Sequence, residues 1–166
     1  MDFIKGFSSE MQYEAATTRK CLERIPPQTF DFKPHEKSMT MSRLATHVAE
    51  MYEWVSDTIE KTGIDFAVMD YKPFTPQTTA ELVEFFDAKV AGAVESLKKA
   101  DPNAMWENWT LRNGAEIYFE MPRLQVLRGM VFNHIVHHRG QLSVYLRMND
   151  IPVPALYGPS ADEGTM

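Results

Sequence analysis

Apolar residues recur at helical spacing in four stretches of the chain, and segments that contain proline or glycine separate these stretches. The first stretch predicts a helix over residues 2–24, which ends before a pair of prolines. The second predicts a helix that is capped by Ser38 or Thr40, runs to about Thr62 and stops at Gly63. Because each helix carries one apolar stripe, each is expected to bury one face.

The third and fourth predicted helices begin at sequence signals of their own. Thr78 and Glu81 have the spacing of a capping box, in which hydroxyl and carboxylate oxygens accept hydrogen bonds from free backbone N–H groups. They predict a third helix that runs to about Ala100. Pro122 suits the first turn of a fourth helix, which apolar spacing extends to about Met148.

One segment departs from the helical pattern. Residues 106–120 predict a short β-hairpin around Asn113–Gly114, which should lie against the helices because an isolated hairpin is marginally stable. Residues 1–166 are therefore predicted to form a single all-α domain, an antiparallel four-helix bundle with this small hairpin. The long connections between the first three helices favour a crossover connection.

Composition narrows the classes of partner. The 166 residues include 17 basic and 23 acidic side chains, a formal net charge of −6, so we expect no binding to nucleic acid. No apolar run approaches the roughly 20 residues of a membrane-spanning helix, and the N-terminal segment lacks the apolar core of a secretory signal. Cys21 is the single cysteine, so no intrachain disulfide can form, which fits a cytoplasmic protein. The sequence shows no base beside Cys21 that would activate its thiol, so we do not expect it to act as a nucleophile.

Histidines occupy helix positions where apolar residues are expected. His134 and His138 are four residues apart, so they lie about 40° from each other on the inner face of the fourth helix. His47 falls on the apolar stripe of the second helix in the same way. Neutral imidazole is a common ligand of zinc and nickel, and three histidines from two facing helices would leave coordination positions open for water or substrate.

The other histidines leave alternatives open. His137 lies three residues after His134, so it could replace His138 as a ligand or face solvent. His35 lies in a proline-containing loop and is expected at the surface. An inward histidine is often only a hydrogen-bonded core residue, so a bundle without metal is the competing interpretation. Ile135 stands where the zinc-protease motif HExxH has its glutamate, which argues against that class of enzyme.

Three segments resemble sequences of the DinB family. Phe132-Asn-His-Ile-Val-His-His-Arg-Gly-Gln-Leu142 is similar to its fourth-helix signature, a histidine followed four residues later by His-Arg-Gly-Gln. Leu44-Ala-Thr-His-Val48, with Glu50 and Trp54 after it, is similar to its second-helix segment. The ending Val153-Pro-Ala-Leu-Tyr-Gly-Pro-Ser-Ala-Asp162 is common in close relatives, so the resemblance covers nearly the whole chain.

The resemblance implies a four-helix bundle with up-down-down-up topology and a divalent metal ion on three histidines, which match His47, His134 and His138 here. It thereby favours His138 over His137, and it implies nickel or zinc, although iron and manganese also accept imidazole. Family members are frequently homodimers. The wider superfamily includes S-transferases that use bacillithiol or mycothiol, and a mycothiol-dependent maleylpyruvate isomerase. The family name records induction by DNA damage, which says nothing about DNA binding.

Two classes of function follow from this resemblance. One is a metal-dependent S-transferase or hydrolase that acts on a small molecule, with a low-molecular-weight thiol as a possible cosubstrate; the other is a non-catalytic metal-binding stress-response protein. The sequence names no catalytic acid or base and no residue that binds the thiol. Arg139 is expected to form a structural ion pair with a neighbouring helix, and Gln141 to hydrogen-bond a metal-bound water or another group around the metal. Asn133 and Glu50 are further candidates near the metal.

Overall fold

The computed structural model describes residues 3–164. Over this range the chain is mostly helical, with four helical rods and one three-stranded sheet. The rods are α1 (Phe3–Leu22); α2 (Met41–Glu50) with α3 (Glu53–Glu60); α4 (Thr79–Lys99); and α5 (Arg123–Gln125), a π-helical segment (Val126–Phe132) and α6 (Asn133–Met148) in direct succession. The predicted start of the first helix, at residue 2, lies outside the described residues.

Two helices begin at predicted caps. Thr40 Oγ1 accepts a hydrogen bond from the backbone N–H of Arg43 at 3.2 Å, so Thr40 rather than Ser38 caps α2. Thr78 Oγ1 accepts one from the N–H of Glu81 at 3.1 Å, which confirms the predicted start of α4. Each cap satisfies a donor that the first turn of a helix leaves free.

The second rod is interrupted where a continuous helix was predicted. Met51 and Tyr52 form a turn between α2 and α3, yet both side chains are fully buried. The Tyr52 hydroxyl lies 3.2 Å from Thr18 Oγ1, and its ring packs edge-on against Phe86. Because the turn itself faces the core, the apolar spacing continues across it and gives no sign of the break.

The sheet contains the predicted hairpin and one strand more. Strand β2 (Asn108–Asn113) pairs antiparallel with β3 (Glu116–Pro122), and the turn lies at Gly114, whose φ is 60°, and the residue after it. Strand β1 (Gly63–Asp65), in a segment predicted as loop, pairs parallel with β2. A Cβ on Gly63 would lie 2.3 Å from the carbonyl oxygen of Thr110, so this pairing requires glycine. The all-α prediction is therefore corrected to a mostly helical fold with a sheet.

The last rod begins one residue later than predicted, because Pro122 ends β3. The seven-residue π-helical segment Val126–Phe132 was not predicted from the sequence. Segments of this kind are rare and are found frequently at functional sites. Here the segment leads directly into the part of α6 that carries the histidines.

The core lies where the rods meet. α4 contacts α1, α2 and α3, and α6 contacts α1 and α2. The predicted structural ion pair of Arg139 is confirmed, because its Nη1 lies 2.6 Å from Glu14 Oε2 on α1, and its side chain is only 1% exposed. Arg139 also donates to Thr18 Oγ1 and to the hydroxyl of Tyr157, which attaches the C-terminal segment to the rods.

None of the helices within residues 3–164 is both long enough and apolar enough to cross a membrane.

Candidate metal centre

Three histidine side chains meet between α2 and α6, and we call them the histidine cluster: His47, His134 and His138. One ring nitrogen from each lies within 4.8 Å of the other two. The Nε2 atoms of His47 and His134 are 3.2 Å apart, and the ring centroid of His138 lies 4.7 Å from that of His47 and 4.6 Å from that of His134. The structure thus brings together the three residues that the sequence singled out.

Local structure explains this convergence. His134 and His138 project from consecutive turns of one face of α6, as their spacing requires. The π-helical segment ends at Phe132, directly before the first turn of α6, which carries His134. His47 approaches from α2, whose start is held by the Thr40 cap.

Gln141 holds the ring of His138 in one orientation. Its side-chain oxygen Oε1 lies 2.7 Å from Nδ1 of His138. Because an amide oxygen only accepts hydrogen bonds, Nδ1 carries the proton, and Nε2 of the neutral ring is left with a free lone pair. Gln141 was expected to bond a metal-bound water or another group around the metal, and the structure places it on the histidine. Such a partner fixes both the tautomer and the orientation of a ligand.

Partial burial favours the neutral imidazole at two members of the cluster. Burial lowers the pKa of His134 to about 4, and the proximity of His138 and His47 adds to this effect. Burial also lowers the pKa of His138, although the hydrogen bond to Gln141 opposes the shift. At neutral pH both rings are therefore unprotonated, which is the form that binds metal.

Acidification is therefore expected to destabilise the metal-free protein. The pKa of His134 is about 4 in the folded chain against an ordinary 6.5, so between these values the unfolded chain binds more protons and acid favours unfolding. This stability is fully present above pH 6.5 and is lost as the pH falls towards about 4. Thermal unfolding with a chelator present, measured in half-unit pH steps, should show a shallower fall for a His134→Gln variant than for the unchanged chain. Equal slopes would contradict the low pKa.

A polar group around Glu50 borders the histidine cluster. Oε2 of Glu50 accepts hydrogen bonds from Arg43 Nη1 at 3.0 Å and from the Tyr71 hydroxyl at 2.8 Å, and it lies 3.9 Å from His47 Nδ1. Burial alone would raise the pKa of Glu50, but His47, Tyr71 and Arg43 together lower it, so the carboxylate stays charged. Its negative charge favours a cation at the neighbouring histidines.

The sequence indicated Glu50 and His47 but not Arg43 and Tyr71, which hydrogen-bond Glu50. Arg43, His47 and Glu50 are spaced by four and three residues, so one face of α2 carries all three, and this spacing could have indicated Arg43. Tyr71 comes from the irregular segment between β1 and α4, where no periodicity links it to a helix face.

The other candidates lie outside the cluster. His137 and His35 are exposed, the latter as expected. Asn133 is also exposed, and its side-chain oxygen accepts a hydrogen bond from Arg128 at 2.9 Å instead of meeting the histidines. Cys21 is fully buried, and burial raises the pKa of its thiol to about 11, so it is not a nucleophile at neutral pH.

The cluster fits a divalent metal ion. Two nitrogens that each lie roughly 2.0–2.1 Å from one zinc ion at a tetrahedral angle are about 3.3 Å apart. The 3.2 Å between the Nε2 atoms of His47 and His134 is close to that value. Three protein ligands leave at least one coordination position for water or substrate, which is typical of catalytic zinc sites.

Related sequences match this chain over nearly its whole length. The DinB family model matches residues 2–165 of the chain. The uncharacterised protein YrdA of Bacillus subtilis strain 168 is 24% identical over 161 residues, which cover 96% of this chain and 91% of YrdA.

Solved structures of similar fold include two DinB-like proteins. One, from Bacillus cereus ATCC 10987, has a TM-score of 0.69 and 21% identity over 92% of this chain and 97% of its own. The other, YjoA from Bacillus subtilis, has a TM-score of 0.74 and 17% identity over 93% of this chain and 99% of its own. The mycothiol-dependent maleylpyruvate isomerase has a TM-score of 0.58 and 13% identity over 84% of this chain and 60% of its own. At identities this low, the likeness shows the fold alone.

Proposed function

Because the chain belongs to the DinB family, we propose that it is a metal-dependent enzyme of the thiol S-transferase or hydrolase type, acting on a small molecule. The observation that carries this proposal is the histidine cluster, with ring nitrogens within 4.8 Å of one another. The similar fold of a mycothiol-dependent isomerase supports a low-molecular-weight thiol as the cosubstrate.

His47, His134 and His138 are the proposed ligands of one divalent ion, with zinc or nickel preferred over iron or manganese. When bound, such an ion lowers the pKa of a coordinated water or thiol and thereby supplies a nucleophile at neutral pH. The chain's own residues prepare the site for it: Gln141 keeps Nε2 of His138 free, and Glu50 places a negative charge beside His47. The protein holds the ligands in place before the metal arrives, which reduces the entropy cost of binding.

We also propose a crossover connection between the second and third rods. Glu53 and Glu60 lie along α3, and they pair with Lys89 at 2.7 Å and with the hydroxyl of Ser96 at 2.6 Å along α4. The residue numbers of the paired side chains increase along both helices in the same direction, which supports a parallel arrangement of α3 and α4. A connection between parallel neighbours must return along the length of the bundle, and the long irregular segment before α4 can do so.

The proposed order of the rods is up-down-down-up. Thr79, at the start of α4, donates to the carbonyl oxygen of Ile25, just after α1, which supports opposite directions for these two helices. Tyr145, late in α6, donates to the carbonyl oxygen of Met39, just before α2, which supports opposite directions for that pair. With α3 parallel to α4, the first and last rods point one way and the middle two the other.

A homodimer is a further part of the proposal. Large apolar side chains are exposed on the monomer, including Trp106, Ile117 and Val144. Exposed apolar residues of this size are common at subunit interfaces.

The single, buried cysteine supports a reducing compartment, and we propose a cytoplasmic location for this reason.

Turnover is the direct test of the proposed function. We expect the zinc- or nickel-loaded chain to accelerate the reaction of a thiol, mycothiol or bacillithiol, with an electrophile such as a haloarene or an epoxide. With a His138→Ala variant the reaction should proceed only at the rate measured without protein. The His35→Ala variant changes a residue of an exposed loop and should retain full activity. Loss of the thiol and of the electrophile is followed by chromatography. A metal-loaded chain that accelerates neither these reactions nor the hydrolysis of the same electrophiles without a thiol would instead favour the non-catalytic metal-binding protein.

A further inference from the structure

A pocket of about 290 Å³ opens beside the histidine cluster, and we call it the side pocket. One wall is formed by α2 and α3, including His47 and Trp54, and the other by the side chains of Phe66, Met69 and Tyr71. Its volume is near the lower end of the range of about 300–1,000 Å³ that small-molecule sites occupy. Because His47 lines the pocket, a molecule bound there lies next to the proposed metal ligands.

The walls of the side pocket are mainly apolar and aromatic. The ring centroids of Trp54 and Phe66 are 6.4 Å apart, and Met69 and Tyr71 complete the outer wall. Phe66 and Met69 are each 40% exposed, so a ligand in the pocket would remove apolar surface from water. Such burial is favourable, and flat rings pack well against aromatic side chains.

The charged groups that line the side pocket are already paired within the protein. The pairs are Arg43 with Glu50 at 3.0 Å, Asp57 with Lys61 at 2.6 Å, and Glu53 with Lys89 at 2.7 Å. An anionic ligand would lose its hydration without gaining an unpaired cationic side chain of the lining, which is unfavourable. The pocket therefore favours an uncharged molecule over an anion.

One carboxylate oxygen of Glu50 is free of hydrogen bonds from residues 3–164. Oε2 of Glu50 accepts the hydrogen bonds from Arg43 and Tyr71, whereas no hydrogen bond from any residue between 3 and 164 reaches Oε1. Glu50 lines the side pocket and is only 8% exposed. Oε1 is thus available to accept a hydrogen bond from an O–H or N–H group of a bound molecule, and bonds to a charged acceptor are the stronger ones.

We propose that the side pocket binds an uncharged aromatic molecule that carries a hydrogen-bond donor. The ring lies against Trp54, Phe66 and Met69, and the donor bonds to Glu50 Oε1. This inference rests on the proposed function in one respect, because it makes this molecule the substrate that is presented to the metal centre.

Three naphthalene probes of similar shape test the chemistry of the side pocket. 2-Naphthol is uncharged with one donor, 2-methoxynaphthalene is uncharged without a donor, and 2-naphthoate is an anion. In titration calorimetry of the full chain at pH 7, 2-naphthol is expected to bind about tenfold or more tightly than either of the others, since they lack the donor or add an unpaired charge. Equal binding of 2-naphthoate, or no binding of 2-naphthol, would overturn the proposal.

Two neighbouring residues provide a matched pair of variants. Met69→Glu puts a carboxylate into the apolar wall and is expected to weaken 2-naphthol binding at least tenfold. Val68→Glu makes the same change on a side chain that is 83% exposed and outside the lining, so it should bind 2-naphthol like the unchanged chain. Circular dichroism and thermal melting establish that both variants fold. Equal affinity of the two variants would place the binding elsewhere and overturn the proposal.

Metal content, measured on the same samples, separates this proposal from the proposed function. Loss of 2-naphthol binding in Met69→Glu with unchanged metal content supports the side pocket as the binding site. A chain that binds 2-naphthol in this way but holds no metal contradicts the metal centre and leaves the pocket standing. A chain that holds metal but does not bind 2-naphthol contradicts the pocket alone.

Discussion

Replacing His47, His134 or His138 by alanine is expected to lower the affinity for zinc or nickel by more than 100-fold. The unchanged chain should hold about one divalent ion, because one nitrogen of each ring lies within 4.8 Å of the other two. Loss of a group that only orients a ligand costs roughly 10–100-fold, so loss of a ligand itself should cost more. Elemental analysis gives the stoichiometry, and competition with a chelator gives the dissociation constant.

Two other histidines serve as controls for this measurement. His35→Ala changes an exposed loop residue, and His137→Ala changes an exposed neighbour of His138 that is not part of the cluster. Both should bind metal like the unchanged chain. Gln141→Leu should fall between the two groups, because it removes the hydrogen bond to His138 Nδ1 but no proposed ligand. Full metal retention in all three cluster variants would exclude the assignment.

Arg139→Met is expected to lower the free energy of unfolding by about 3–5 kcal/mol, because it leaves the Glu14 carboxylate buried without its cation. The melting temperature should fall by roughly 6–20 °C for a chain of this size. Methionine retains most of the arginine's length, so the loss comes mainly from the charge and the hydrogen bonds. Urea denaturation followed by circular dichroism measures the difference.

A surface ion pair provides the control for Arg139. Arg19 pairs with Asp87 at 2.9 Å, and both side chains are more than 40% exposed. Arg19→Met should therefore cost less than about 1 kcal/mol. A double variant, Glu14→Met with Arg139→Met, should recover part of the loss because no unpaired charge stays buried. An Arg139→Met effect as small as that of Arg19→Met would show that the pair contributes little.

Much of the helical architecture could be predicted because its signals are local. Apolar spacing and the caps at Thr40 and Thr78 located the starts of α2 and α4. The turn at Met51 and Tyr52 was missed, since buried residues there continue the apolar pattern. Strand β1 was missed because three residues carry little pattern and its partner, β2, lies far along the chain.

The site residues that the sequence predicted are likewise those with a local spacing signal. The spacing of His134 and His138 on one helix face predicted that they would meet, and His47 was found by its place on an apolar stripe. That spacing alone left His137 and His138 as alternatives, and only the family resemblance favoured His138. Tyr71 and the other residues that form the outer wall of the side pocket come from an irregular segment, where position depends on tertiary contacts that no periodicity reveals.

The buried thiol of Cys21 can be used to measure how often the core opens to solvent. Thiol-alkylating reagents react with the thiolate, and this thiol is fully buried with a pKa of about 11. At neutral pH the reagent can therefore modify only molecules in which α1 has separated from its neighbours. The rate of labelling therefore measures how frequently the protein opens, and no dye or tag has to be introduced. Labelling rates of the metal-free and metal-loaded chains then show whether metal binding reduces the frequency of opening.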